Sequence, residues 1–481
     1  MLKSASGKSM TTWLAAVMFV MAMPAMAQPA DLAIVGVNLL DVETGEIRPD
    51  RVILVEDGRI KAIQQREAGT TPEAKRRVEH EGAFALPGLW DMHVHFRGGE
   101  ALREENEAFL DRYLGYGITG VRDAGGDLAD AVARWRSEIA TGGRRGPVIF
   151  TPLLKLDGKG GRWPGSIAVE SPRDIAMALE GLEAGGADYI KIYDSTIDPG
   201  LYLETLRRAE ARDLLTSAHL PFSVPFAEAI DAGLDSIEHA LYLHKAASPR
   251  DQEISMQIRQ ARESGDRSGL GNPFERLMDT EDLEHARTVI SQMAEAGMAL
   301  TPTLYIDRLL RFLDEDPHTQ DPELAHIPQA IRETYRGRIE SAAARTAEQI
   351  ASDHERVART MALAELAHDA GVRILAGSDA GAYNSYVYPG DSLHRELALL
   401  VKAGLTPLEA LQAATINGAA FLGVDDEYGT LSVGKAADIL ILKADPTADI
   451  ANTRAVAGLV RAGRYLSGTR LEALKTRMPE E

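Results

Sequence analysis

The chain has 481 residues, 45% of them hydrophobic, which is enough apolar material for a large core and a prior of one to three domains. Its formal net charge of −20 makes nucleic acid and anionic membrane surfaces poor partners. It has no cysteine, which excludes disulfides and thiolate ligands and leaves any metal to His, Asp, Glu or a modified Lys.

The N-terminus reads as a secretory signal. Lys3 and Lys8 supply the positive region, Trp13 to Met23 the apolar stretch, and Ala25-Met26-Ala27 the small-residue cleavage site. The apolar stretch falls short of the ~20 residues that span a bilayer. Cleavage after Ala27 gives a mature chain of charge −22 that begins at Gln28, expected in the periplasm or secreted and without stable membrane insertion.

Short strands and turns follow: Ala33–Val37, Asp41–Glu46 and Arg51–Val55, with Asp57-Gly58 as a hairpin turn. From residue 86 onward strands alternate with helices, as in βα units. The candidate strands are Leu86–Phe96, Thr119–Asp123, Val148–Leu153, Tyr189–Tyr193, Leu215–Leu220, Ser236–Ala240, Ala299–Tyr305 and Arg373–Ala380. Helical patterns include Asp174–Glu183, Leu201–Arg212 and Thr406–Ala414. Eight such strands with their helices is the count of a TIM barrel.

Two connections are long, from about Leu243 to Gly297 and from about Asp307 to Gly371, with helical patterns at Glu281–Ala294 and Ile339–His368. They read either as solvated helical decoration or as a lid over the barrel mouth. Strands return at Ala437–Leu442 and Ala455–Arg464. The expected organisation is a signal peptide (1–27), a barrel (86–424), and a small flanking β domain composed of residues 28–85 and 425–481.

Polar residues at the predicted strand ends carry the chemistry. His93 and His95 flank Val94, so on a strand both imidazoles face one side. Lys191 lies inside the apolar strand Tyr189–Tyr193, where an ammonium is costly unless paired or modified. His219, His239 and Asp379 close the fifth, sixth and eighth strands. In a barrel these ends converge on one mouth.

With Gly88-Leu89-Trp90-Asp91 ahead of His93, Gly404–Leu411, Ala413-Ala414-Thr415, Gly429-Thr430-Leu431 and Gly434–Asp438, this order of motifs resembles the amidohydrolase superfamily over nearly the whole mature chain. The stretch Ser236–Tyr242 is similar to the branch of imidazolonepropionases and prolidase-like, Xaa-Arg-type dipeptidases. Hydantoinases and dihydroorotases share the His93–Arg97 opening but differ around the fifth and sixth strands. The strand-four lysine speaks against imidazolonepropionase activity, which the resemblance associates with one metal and no such lysine.

The resemblance implies two divalent metal ions, zinc, with His93, His95 and Asp379 on the first, His219 and His239 on the second, and carboxylated Lys191 as the bridge. Asp379 would move the proton and Tyr242 would stand near the substrate. The expected reaction is hydrolysis of an amide or peptide bond in a small molecule, a dipeptide or N-acyl amino acid; the alternative is a cyclic amide, ureide or lactone. The expected partner is that small molecule alone, and oligomeric state stays open. Substrate contacts are expected from Arg97 or Arg162, as carboxylate forks, and from His244 and Tyr305, as single donors. Leu156–Arg162 lacks the histidine that dipeptidase-like relatives often carry there.

Overall fold

The computed structural model describes residues 29–67, 73–266 and 270–479. The leader reading of residues 1–27 lies outside them. The chain opens with β1 (Ala30–Leu40), β2 (Ile47–Glu56), β3 (Arg59–Gln65), β4 (Ala74–Glu79) and β5 (Phe84–Pro87). The next strands are β6 (Leu89–Val94), β7 (Ile118–Asp123), β8 (Val148–Phe150), β9 (Lys155–Asp157), β10 (Ser166–Ala168), β11 (Ile190–Ile192), β12 (Thr216–Ala218), β13 (Ser236–Glu238) and β14 (Ala299–Thr301). Last come β15 (Ile439–Leu442), β16 (Val456–Arg461) and β17 (Arg464–Ser467).

An eight-stranded sheet unites the two ends of the chain in the order β17-β16-β15-β5-β1-β2-β3, with β4 on β1. Between β2 and β3, Asp57 and Gly58 both take positive φ, 49° and 76°. That is the two-residue turn whose twist suits a hairpin and which Asp-Gly tolerates. A single strand from Leu86 to Phe96 was the sequence expectation; the chain instead breaks at Gly88. A Cβ there would lie 2.2 Å from Thr119 Oγ1, so glycine lets β5 join this sheet while β6 turns into the next one.

The parallel βα region pairs as a three-stranded sheet, β6-β7-β8, and a six-stranded sheet, β10-β9-β11-β12-β13-β14. The expected eighth strand, residues 373–380, differs from the sequence reading. It makes only isolated bridges, Ile374 with Leu300 and Ala380 with Val94, so pairing does not close into one continuous ring. Gly377 packs against His93 and Thr301, and Asp379 turns left-handed at φ 59°, which ends extended pairing. Backbone bonds still tie the segment to both neighbours: Leu375 N–H donates to Leu300 O (2.8 Å) and Asp379 N–H to His93 O (2.7 Å). On the opposite side, β8 stops early, and Asp188 N–H reaches Thr151 O (2.9 Å).

Helix starts follow their caps. Ser171, Asp198 and Thr406 accept N–H bonds from the first turns of Pro172–Ala184, Pro199–Glu210 and Pro407–Ala413. The expected helix Ile339–His368 is two helices, Arg336–Ala343 and Ala347–Asp369. Thr346 and Gln349 form a reciprocal capping box, which starts a new helix and breaks the old one. Among the described residues no helix is long and apolar enough to cross a membrane.

The eight-stranded sheet meets the base of the parallel region at Gly117. Its φ is 78°, and a Cβ would stand 2.7 Å from Leu440 Cδ1 in β15. Gly117→Ala is expected to cost about 1–3 kcal/mol through backbone strain and overpacking, read as a lower urea midpoint at unchanged slope.

Candidate metal centre

The four expected histidine ligands lie at or just after the C-terminal ends of parallel strands, Lys191 lies within β11, and Asp379 lies on the bridged segment beside β6. His93 is next to last in β6 and His95 follows it; their Nε2 atoms are 3.3 Å apart. His219 follows β12 and His239 follows β13, with Nε2 atoms 3.0 Å apart. The His93 and His239 ring centres are 5.0 Å apart, so the two pairs face one space. Asp379 Oδ1 stands 3.2 Å from His95 Nε2 and 3.5 Å from His93 Nε2. His93, His95 and Asp379 offer ligand atoms that all lie within 4.8 Å of one another. Lys191, in β11, is fully buried, and its Nζ has no hydrogen-bond partner among the described residues.

The far nitrogen of every imidazole is anchored. His93 Nδ1 meets Glu238 Oε2 (2.6 Å), His95 Nδ1 the Gly125 carbonyl (3.0 Å), His219 Nδ1 Asp194 Oδ1 (3.2 Å) and His239 Nδ1 Thr303 Oγ1 (2.7 Å). Carboxylates and a carbonyl only accept, so His93, His95 and His219 carry their proton on Nδ1 and present a bare Nε2 lone pair. For His93 and His95, lone pairs facing at 3.3 Å without a proton between them are an unfavourable arrangement that a shared cation relieves. Burial lowers the pKa of His93, His95 and His239, most strongly for the last two, which keeps them neutral and available as ligands. The donor set is nitrogen and oxygen at a convergent site, as borderline divalent metals require.

The supporting residues were not singled out in the sequence. Glu238 lies at 0% exposure; besides His93 it takes hydrogen bonds from Ser217 Oγ and Arg122 Nη2 (2.7 Å) and stands 3.5 Å from Lys191 Nζ. Asp91 accepts from Ser378 N–H (2.9 Å) and Oγ (2.6 Å), which fixes the residue before Asp379; burial pushes its own carboxyl up to about 7. Burial opposes ionisation of Asp194, yet its bonds from His219 and Tyr242 hold the carboxyl at about 2. Asn384 Nδ2 donates to Asp379 Oδ1 (2.7 Å). A signal for Glu238 exists in the chain, a charge inside the apolar Ser236–Glu238 strand, one residue before His239.

The expected substrate contacts divide. Arg97 is at the mouth, 6% exposed, with Nε on Ala382 O (2.8 Å) and its guanidinium carbon 4.7 Å from the Trp163 ring centre. Arg162 is exposed beside the same ring, at 5.3 Å. Tyr242 is beside His219, but its hydroxyl donates to Asp194 Oδ2 (2.7 Å) and so orients that acid. His244 and Tyr305 correct the sequence reading. His244 spends both nitrogens, on Glu281 and on Thr360 Oγ1 (2.9 Å), pinning the two long connections together. Tyr305 lies in the helix Leu304–Arg311 rather than on a strand; its hydroxyl accepts from Arg395 Nη1 (3.1 Å).

Residues 84–466 match the amidohydrolase family. The chain belongs to that family. As an amidohydrolase it is a hydrolase of carbon–nitrogen bonds. It is 24% identical over 462 residues to an imidazolonepropionase of Cupriavidus taiwanensis, covering 89% of this chain and 94% of that one. It is 27% identical over 411 residues to an imidazolonepropionase of Micrococcus luteus, covering 83% and 89%. Among solved structures, a Xaa-Pro dipeptidase with bound methionine aligns at TM-score 0.65 and 20% identity, covering 91% of this chain and 99% of that one. A bottromycin amidohydrolase aligns at TM-score 0.71 and 22% identity, covering 93% and 89%. These likenesses give the amidohydrolase the fold of its structural neighbours.

Glu238→Gln keeps the shape of this side chain but removes the charge that orients His93 and faces Arg122 and Lys191. Metal affinity of the amidohydrolase is expected to fall about 10–100-fold, the usual cost of losing a carboxylate behind a ligating histidine, measured by chelator competition.

Proposed function

We propose that the protein is a binuclear metal-dependent hydrolase of amide bonds in small substrates, a dipeptide or an N-acyl amino acid, on a (β/α)8 barrel with a flanking β domain. The observation that carries this reading is the convergence of four imidazole Nε2 atoms in two facing pairs, with Asp379 on one pair and the buried Lys191 nearby. His93, His95 and Asp379 would hold one ion, His219 and His239 a second, with zinc the expected metal. Burial lowers the Lys191 amine to about 8, so a fraction is neutral near neutrality and able to add CO₂. The carbamate so formed is a two-oxygen anion suited to bridge both ions. The leader expected at residues 1–27 would extend the reading to a protein at work in the periplasm or secreted.

When bound, a metal pair supplies Lewis acidity toward a carbonyl oxygen and a lowered pKa for water. The chain supplies the rest. His93, His95 and His239 stay neutral through burial and remain donors at neutral pH. Asp379 Oδ1 is occupied by Asn384 and the facing imidazoles, which leaves Oδ2 to take a proton from the attacking water and pass it to the leaving nitrogen. A second reading, hydrolysis of a cyclic amide, ureide or lactone, is favoured by the length-wide likeness to imidazolonepropionases. Turnover of the purified protein on dipeptides, N-acyl amino acids, cyclic amides, ureides and lactones distinguishes the two, and no turnover on any of these would defeat both.

Elemental analysis is expected to find close to two divalent ions per chain. Lys191→Ala should lose one or both and recover part of its activity with small carboxylic acids; a fully metallated, fully active variant would sink the carbamate bridge. Asp379→Asn should lower kcat by about 10²–10⁴, the usual worth of a general acid–base group, plus any loss from weaker metal retention. Near-normal turnover would remove Asp379 from proton transfer.

A further inference from the structure

The mouth of the metal centre gathers three arginines with no ion-pair partner. Arg97 follows β6, Arg162 lies on the loop after β9, and Arg338 comes from the helix Arg336–Ala343 in the second long connection. Among the described residues none of the three forms a salt bridge, in a chain with 72 acidic and 52 basic residues. Arg97 and Arg162 both oppose the charge on Arg338, and Asp379 favours it. Clustered like charge without compensation is unfavourable in the free protein and is relieved by a bound anion.

The geometry gives that anion a place. Arg338 donates Nε to Tyr383 O (3.0 Å) and Nη2 to Asn384 Oδ1 (2.7 Å), while its Nη1 has no partner among the described residues. Arg97 Nη2 is buried and unpartnered. The rings of Trp163 and Tyr383 stand 5.7 Å apart, and Arg97 lies over both. Arg162, Trp163, Arg338 and Tyr383 line a cavity of about 470 Å³ together with Arg311 and Arg345, and Arg97 stands behind the Trp163 and Tyr383 rings rather than in its lining. Asn384 is held by Arg338 on one side and bonds to Asp379 on the other, so one side chain separates the guanidinium from the base.

We propose that Arg338, with Arg97 beside it, is the subsite for a carboxylate on the leaving amino acid of the substrate, and that Arg338 sets specificity for it. The placement rests on Asp379 being the group beside the scissile bond. An α-carboxylate sits two bonds from the scissile nitrogen, which suits a cation one side chain away from the base. Arginine offers two parallel N–H groups to such a planar anion. Arg162, exposed on its loop, adds long-range attraction in an otherwise repulsive acidic protein.

The test is calorimetric binding to the metal-replete protein. The probes are N-methanesulfonyl leucine, phenylalanine, arginine and glutamate, each as free acid and as α-carboxamide, because the sulfonamide bond resists hydrolysis. Wild type should bind the acid of at least one pair about tenfold or more tighter than its amide. Arg338→Met should weaken the acid about ten- to a hundredfold and the amide by less than about threefold, at unchanged metal content. Arg338→Lys should retain part of the preference, and it carries the test should Arg338→Met not fold. Equal binding of acids and amides by wild type, no binding of any acid, or an equal loss of both forms in the variants overturns the proposal. Turnover of the matching N-acetyl compounds is read separately: acid preference without turnover would fault the hydrolase reading and leave this subsite standing.

Discussion

The structure depends on one buried acid. Glu238 sits at 0% exposure where five strands meet, touching or facing His93 on β6, Arg122 on β7, Lys191 on β11 and Ser217 on β12 from its own place on β13. Burial alone would keep such a carboxyl protonated, but the charges of Arg122 and Lys191 and the hydrogen bond from His93 hold it well below the usual range. A buried ion with its partners in place is tolerable, whereas losing one partner commonly costs about 3–5 kcal/mol. The parallel region therefore packs around a fixed charge rather than around apolar side chains alone. That same charge aims the first imidazole of the centre.

A second constraint is backbone strain, which recurs at the rim of the site. His239 (φ 66°), Thr303 (φ 47°) and Asp379 (φ 59°) all adopt left-handed conformations, which branched or bulky residues avoid. His239 and Asp379 are candidate ligands, and Thr303 bonds the ring of His239. Positive φ at a strand end turns the chain sharply and points the side chain over the mouth instead of along the strand. Such strain persists only where the surroundings over-determine it. Here Asp91, Asn384 and backbone bonds to neighbouring strands do so.

The convergence of the candidate ligands was legible because they obey local rules: His-x-His alternation for His93 and His95, and polar residues ending apolar runs for His219, His239 and Asp379. The pieces that support them were not. Glu238, Arg122, Asp194 and Asn384 acquire meaning only from which strands lie side by side, information that no local window contains. The same holds for Arg338, brought to the mouth by the path of a long connection. His244 looked equally local, two residues from Tyr242 near a strand end, but the fold gives both its nitrogens to Glu281 and Thr360. Strand length was over-read wherever an apolar run crossed a junction. Gly88 divides one run between two sheets, and Thr303 turns another into a helix.

The eight-stranded sheet couples the first and last parts of the chain. Phe84 on β5 pairs with Leu442 on β15, so closing that ladder joins residues separated by the whole parallel βα region. Contacts of such separation form late, because the loop entropy must be met before the pairing gains anything. During synthesis β5 keeps an open, apolar edge until the final strands emerge, and an unpaired edge is a template for wrong pairing. The nascent chain thus carries its own timing device, in which the last strands to be made are the ones that shield the first sheet from aggregation.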